Sequence, residues 1–140
     1  EHAGALLSGD ANLRPHLWES HDVCRQHVTW LASHLDIFKA NEGEGRFLTG
    51  AEPEEAARQL AQRGAGLAVV TVGERGAVWA TAESSGWIEP PEVTAVDAIG
   101  AGDAFMSGLI AARLAAATLE AALENATRMA GLAVARVGAV

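Results

Sequence analysis

Leu67-Ala68-Val69-Val70-Thr71-Val72 is an unbroken apolar run rich in β-branched side chains, and it follows directly on Gly64-Ala65-Gly66. A short run with no polar alternation fits a strand of a parallel sheet that is buried on both faces. Upstream, Pro53 stands in the acidic stretch Ala51-Glu52-Pro53-Glu54-Glu55, which predicts a helix that starts there and stops at the two glycines. Leu35-Asp36-Ile37-Phe38-Lys39-Ala40 ends at Asn41 and suits a second strand. Between Glu19 and His34 the positions Val23, His27/Val28, Trp30, Leu31 and Leu35 recur at helical spacing, which predicts an amphipathic helix covering a sheet. Ala5-Leu6-Leu7-Ser8-Gly9 predicts a further buried strand, with Asp10-Ala11-Asn12-Leu13-Arg14-Pro15 as the loop that leaves it.

Downstream, Ala77-Val78-Trp79-Ala80-Thr81 reads as a partner strand across the tight Gly73-Glu74-Arg75-Gly76 turn, and Glu83-Ser84-Ser85-Gly86 as the next turn. Pro90-Pro91 interrupts regular structure. Ala-rich sequence from Asp103 to about Ala116, and from Leu119 to about Val137, predicts two closing helices. The order strand, helix, strand, helix, strand, hairpin, helix, helix is an α/β layered pattern with a mainly parallel sheet.

The 140 residues carry 10 Lys and Arg against 18 Asp and Glu, a formal charge of −8, and 49% of them are hydrophobic. That composition can fill one core. The acidic balance and the absence of a basic stripe argue against a nucleic-acid partner, whose phosphates require clustered Lys and Arg. No apolar stretch approaches the ~20 residues that span a bilayer, and the first residues do not resemble a signal peptide. A soluble, cytoplasmic protein without a membrane partner is the expectation. Cys24 is the single cysteine and reads as a buried thiol; His2, His16, His21, His27 and His34 are dispersed without metal-ligand spacing. Trp18, Trp30, Trp79 and Trp87 read as packing residues.

The segment with the clearest chemistry is Asp97-Ala98-Ile99-Gly100-Ala101-Gly102-Asp103-Ala104-Phe105. Two glycines bracketing an alanine before a helix let successive backbone N–H groups face one concavity at the positive end of the helix dipole. Such a loop is an anion hole, and a carboxylate at Asp103 beside it can accept a proton from an attacking hydroxyl. The same residues would also serve as a plain turn and a helix cap. Arg14, following a strand, is suited to bidentate contact with a phosphate or carboxylate, or to a structural tie with a nearby acid. No G-x-x-x-x-G-K-[ST] loop and no G-x-G-x-x-G fingerprint occurs in the chain.

The glycine segment resembles the C-terminal signature of the ribokinase-like (PfkB) carbohydrate kinases, and three other segments agree with it in order. Asp10-Ala11-Asn12-Leu13-Arg14-Pro15-His16-Leu17-Trp18 resembles the D-x-N-x-R-x-x-L-W segment of fructokinases and 2-keto-3-deoxygluconate kinases. Asn41-Glu42-Gly43-Glu44 matches the N-x-x-E motif, with Phe47-Leu48-Thr49-Gly50 after it, and Val70 to Gly76 resembles the nucleotide-binding T-x-G-x-x-G turn. The resemblance implies a three-layer ribokinase-like α/β fold and an ATP-dependent transfer of the γ-phosphoryl group to a sugar hydroxyl, most like fructokinase, with 2-keto-3-deoxygluconate kinase or a non-catalytic nucleotide-binding module as the alternatives.

Carried over by position, the resemblance implies Asp103 as catalytic base and Gly100, Ala101 and Gly102 as the anion hole. It implies Asn41 and Glu44 as residues that arrange Mg²⁺ through its waters, their other reading being a helix N-cap with an acid in the first turn. Thr71, Gly73 and Gly76 would approach the nucleotide, and Asn125 would lie beside the adenine or simply face solvent. Asn12 and Arg14 would contact the phosphoryl group or the sugar. Asp97 and the backbone near Ala133, Arg136 and Gly138 match the positions that hold a monovalent cation such as K⁺ in several members. Members of the family are about twice as long, so residues 1–140 are expected to be the nucleotide-binding and catalytic C-terminal part, lacking the N-terminal sugar-binding and lid part, inactive alone and a homodimer when intact. Two departures stand out: Ala98 where many members have threonine, and Ala11 where many have proline.

Overall fold

In the computed structural model, which describes residues 4–90, 93 and 98–135, β1 (Ser8–Asp10), β2 (Ile37–Asn41) and β3 (Leu67–Thr71) run parallel and side by side. With β4 (Ala77–Ala80) and β5 (Ser85–Ile88) they form a five-stranded sheet in the order β1-β2-β3-β4-β5. The short links into β4 and β5 are far too brief for a parallel crossover, so the sheet is mixed, parallel at one side and hairpin-like at the other. Thr81 N–H donates to Ser84 O at 2.8 Å and closes the last hairpin.

The chain divides into two compact units, Glu1–Gly73 with Val78–Trp87, and Glu74–Ala77 with Ile88–Val140. In the first, α1 (His21–Ala32) links β1 to β2, and α2 (Glu42–Thr49) and α3 (Pro53–Gln62) link β2 to β3. Phe38, Ala40, Ala68 and Val70 share one face of the sheet and pack with Cys24, Val28, Leu48 and Leu60 of the helices. Ile37, Leu67 and Val69 alternate to the other face and are buried too, so the doubly buried character of the Leu67 run holds. Gly45 lets α2 lie close on β3, because a Cβ there would come within 3.3 Å of Val70.

The structure corrects several expectations in this unit. α2 starts at the N-cap that was the other reading of Asn41 and Glu44, although the strand and helix order left it out, and β5 replaces part of the expected turn at Glu83 to Gly86. β1 is three residues long, begins at Ser8 and is largely exposed, because it is the outermost strand rather than a buried one. The core stripe of α1 is Cys24, Val28 and Ala32. Trp30 is two positions from Val28, about 200° around a helix of 3.6 residues per turn, and is accordingly 64% exposed. Trp18 and Trp87 are also exposed; Trp18 tilts against His27 at 5.6 Å and Trp30 against His34 at 4.4 Å. Cys24 is buried and free, as expected.

The second unit contains α4 (Ala101–Leu114) and α5 (Leu119–Val134), packed closely on each other. Their contact depends on Gly108, where a Cβ would approach Met129 Cγ to 2.9 Å and Ala126 Cα to 3.0 Å. α4 ends with Ala116 N–H on Arg113 O and Ala117 N–H on Ala112 O, and Ala116 takes φ 58°. This is the Schellman arrangement, with alanine where glycine is favoured. Thr118 Oγ1 caps α5 through Ala121 N–H at 3.3 Å. Among the described residues no helix is long and apolar enough to cross a membrane.

Candidate functional site

Parallel strands collect functional groups at their carboxyl ends, where the chain turns away from the sheet. In the first unit Asp10, Asn41 and Thr71 terminate β1, β2 and β3, with Asn41 and Thr71 paired in register. Asn12, Arg14, Asn41, Glu44 and Thr71 therefore gather at one end of one sheet.

Asn41 is the N-cap of α2: its Oδ1 accepts from Glu44 N–H at 2.9 Å, and Glu44 Oε2 accepts from Asn41 N–H at 2.9 Å. That reciprocal pair is a capping box, the local structure an Asn-x-x-Glu sequence favours. Glu44 does a second thing. Its Oε1 accepts from the backbone N–H of Leu13 at 2.8 Å, so the loop after β1 is tied to the start of α2. Between these ties Asn12 adopts φ 38°, a left-handed conformation that asparagine tolerates better than most residues. Arg14 is exposed, and its Nη1 donates to Leu13 O at 2.9 Å and Asn12 O at 3.3 Å, so its partners are carbonyls of its own loop rather than an acid. Thr71 Oγ1 reaches Ala40 O at 3.5 Å, a long contact, and Gly73 follows with φ 57°.

One charged group here was not singled out from the sequence. Lys39, inside the apolar run of β2, is 4% exposed, and its Nζ donates to Asp10 Oδ2 at 2.6 Å across the β1–β2 register. A lysine set among Ile37, Phe38 and Ala40 is the signal that could have found it.

The remaining candidates belong to the second unit. Gly76 has φ 96°, and a Cβ at that position would run into Ile88 O, so glycine is required on both counts. Gly100 is the N-cap of α4 with φ 81° and no side-chain cap. Ala101 N–H donates to Ala98 O at 3.3 Å and Ala104 N–H to Gly100 O at 2.9 Å, while helix geometry gives the Gly102 and Asp103 N–H groups no intrahelical acceptor. Asp103 is exposed in this first turn, beside Ala101 and Gly102. An uncapped helix start with its amides free of side chains is suited to an anion. Asn125 is engaged within the helix pair: Nδ2 donates to Gly108 O at 2.8 Å, and Oδ1 accepts from Arg128 Nη2 at 2.6 Å. Ala133 lies in the last turn of α5, whereas Asp97, Arg136 and Gly138 lie outside the described residues.

Among the described residues no three His, Cys, Asp or Glu side chains gather as a direct metal cage. Asn41 and Glu44 still fit a hard cation held through water. Both are oxygen donors, Glu44 sits at the mouth of the strands, and each carboxylate oxygen retains a lone pair beyond the hydrogen bond it accepts. Mg²⁺ is commonly held by one or two carboxylates with waters and phosphate oxygens completing its shell.

A family model described as pfkB family carbohydrate kinase matches residues 3–140. Over 110 residues the chain is 40% identical to a probable fructokinase-2 of Arabidopsis thaliana, covering 77% of this chain and 33% of that protein. It is similar in structure to an aminoimidazole riboside kinase from Salmonella enterica complexed with aminoimidazole riboside and an ATP analog, with a TM-score of 0.87 at 31% identity over 98% of this chain and 48% of that one. A double-mutant fructokinase from Vibrio cholerae O395, in a fructose, ADP and potassium ion bound form, gives a TM-score of 0.80 at 33% identity over 94% of this chain and 44% of that one. The chain thus spans about a third of the length of the curated relatives it matches.

Proposed function

Because the chain belongs to the pfkB family of carbohydrate kinases, we propose that it supplies the nucleotide-binding and catalytic part of an ATP-dependent sugar kinase whose acceptor is a fructose-like sugar hydroxyl. One observation carries the reading: residues of three separate motifs, Asn12 and Arg14, Asn41 and Glu44, and Thr71, stand at the carboxyl ends of three adjacent parallel strands. A packing role alone does not require polar residues at that end of every strand.

In this reading Asp103 accepts the proton of the sugar hydroxyl as its oxygen bonds to the γ-phosphorus, while the bond from that phosphorus to the leaving oxygen of ADP breaks. A positioned base contributes roughly 10²–10⁴ in rate. The Gly100 to Gly102 turn donates backbone N–H groups to charge on the transferring group, where preorganised donors stabilise the transition state without reorganisation. Asn12 and Arg14 hold the phosphoryl group or the sugar; for this the Arg14 guanidinium leaves the two carbonyls it rests on. Thr71, Gly73 and Gly76 let the chain turn sharply beside the nucleotide. Asn41 and Glu44 would hold Mg²⁺ through its waters. That ion, when bound, neutralises phosphate charge. A K⁺ requirement fits a relative that carries potassium.

The test is ATP consumption with Mg²⁺ on fructose, 2-keto-3-deoxygluconate and aminoimidazole riboside, using the intact protein and the 140-residue chain. Turnover of the intact protein on fructose supports the reading. ATP binding without turnover on any sugar would make it a non-catalytic nucleotide-binding module.

A further inference from the structure

We propose that Lys39 is a positioning residue for the substrate-facing loop Asn12 to Arg14, acting through the ion pair that its buried ammonium makes with the partly exposed Asp10. The pair is unusual in its surroundings. Lys39 is the one charged residue among the described buried ones, and its neighbours along β2 are Ile37, Phe38 and Ala40. The Lys39 side chain is 5% exposed and that of Asp10 27%, so the cost falls mainly on desolvating the ammonium, which the pairing offsets only in part and an apolar side chain would not incur. Where such a pair is kept, fixing one conformation is the better-attested role.

The geometry gives Lys39 something to fix. Its Nζ holds Asp10 Oδ2 at 2.6 Å, and its carbonyl accepts the N–H of Ala11 at 2.8 Å. Two residues later Glu44 holds the N–H of Leu13 at 2.8 Å. Asn12 lies between these anchors with φ 38°. Asparagine enters this region more readily than most residues, and the two flanking anchors hold it there. The anchor before Asn12 is Lys39 at both side chain and backbone, and the anchor after it is Glu44. Lys39 thereby sets where the Asn12 side chain and the Arg14 guanidinium leave the sheet. The inference rests on the reading of Asn12 and Arg14 as contacts to the sugar or its phosphoryl group.

The experiment compares Lys39→Met, the double variant Asp10→Leu/Lys39→Met, and Arg14→Ala in the intact protein. It reads melting temperature, hydrogen exchange of the Leu13 amide, and KM and kcat for sugar and for ATP. Lys39→Met leaves Asp10 unpaired and is expected to melt lower. The double variant removes both charges and is expected to recover the melting temperature while Leu13 exchange stays fast and the sugar KM stays raised by about tenfold, with the KM for ATP unchanged. Recovery of Leu13 protection and sugar KM together with melting temperature would overturn the proposal, because a merely structural pair behaves that way. If Lys39→Met does not fold, Asp10→Asn, which keeps the shape and removes one charge, reads the same Leu13 exchange and sugar KM. Unchanged sugar kinetics in Arg14→Ala would instead sink the assignment of that loop to the substrate, while the exchange measurement still decides whether Lys39 positions it.

Discussion

Leu13 donates its backbone N–H to Glu44 Oε1 at 2.8 Å, which joins the loop after the first strand to the first turn of the helix after the second. Glu44 simultaneously closes the capping box with Asn41. One carboxylate thus holds two motifs that are thirty-one residues apart.

Replacing Glu44 by alanine should therefore cost more than a helix cap alone. Two backbone donors, Leu13 N–H and Asn41 N–H, lose their acceptor, and a loss of about 2 kcal/mol in chemical denaturation is expected. Glu44→Gln keeps one carbonyl oxygen for one of the donors and should lose roughly half as much. A Glu44→Ala variant as stable as the parent would show that water replaces both bonds freely.

Asp103→Asn preserves the shape of the first turn of α4 and removes the carboxylate proposed above as the proton acceptor. Phosphorylation by the intact protein should fall by roughly 10²–10⁴, with ATP affinity nearly unchanged. Parallel loss of both, measured by titration calorimetry beside turnover, would mean that Asp103 contributes to binding and not to proton transfer.

Ala116 ends α4 with φ 58° in an exposed position. An L-alanine there bears a left-handed strain that glycine does not, so Ala116→Gly should stabilise the protein by about 1 kcal/mol despite the freer unfolded chain. Thermal or denaturant unfolding reads the gain directly; a loss would mean that the strain is relieved elsewhere in the turn.

Asn125 joins α5 to the Gly108 carbonyl of α4. Asn125→Ala should lower stability by about 1–2 kcal/mol through the unpaired carbonyl and the lost amide contact. ATP affinity is expected to change by less than about threefold, a difference worth well under 1.4 kcal/mol. A large loss of affinity at unchanged stability would assign the side chain to the adenine instead.

The sequence made the central strand legible because Leu67 to Val72 contains nothing that favours another structure, and α3 because Pro53 and the Gly64-Ala65-Gly66 stop bracket it. α2 was hidden by its own composition. Gly43 and Gly45 weaken helix propensity within eight residues, and only the Asn41-x-x-Glu44 spacing signals its start. β5 is masked because Ser84-Ser85-Gly86 is turn chemistry; its strand pairing comes from the hairpin with β4, a tertiary influence no local window contains. The ordered motifs named the residues that collect at the strand ends. What they could not name is Lys39, whose meaning depends on Asp10 lying opposite it in the next strand, nor the tie from Glu44 to Leu13, which involves a backbone N–H that carries no sequence signature.

The partition of aromatic and sulfur side chains between the two units has an experimental consequence. Trp18, Trp30, Trp79, Trp87 and the only cysteine, Cys24, all fall in the first unit, and the chain has no tyrosine. Indole emission and thiol labelling are therefore blind to the second unit, which is visible chiefly through the far-ultraviolet dichroism of α4 and α5. If the two units melt separately, fluorescence and dichroism will trace different curves, and the protein carries the dyes needed to tell them apart.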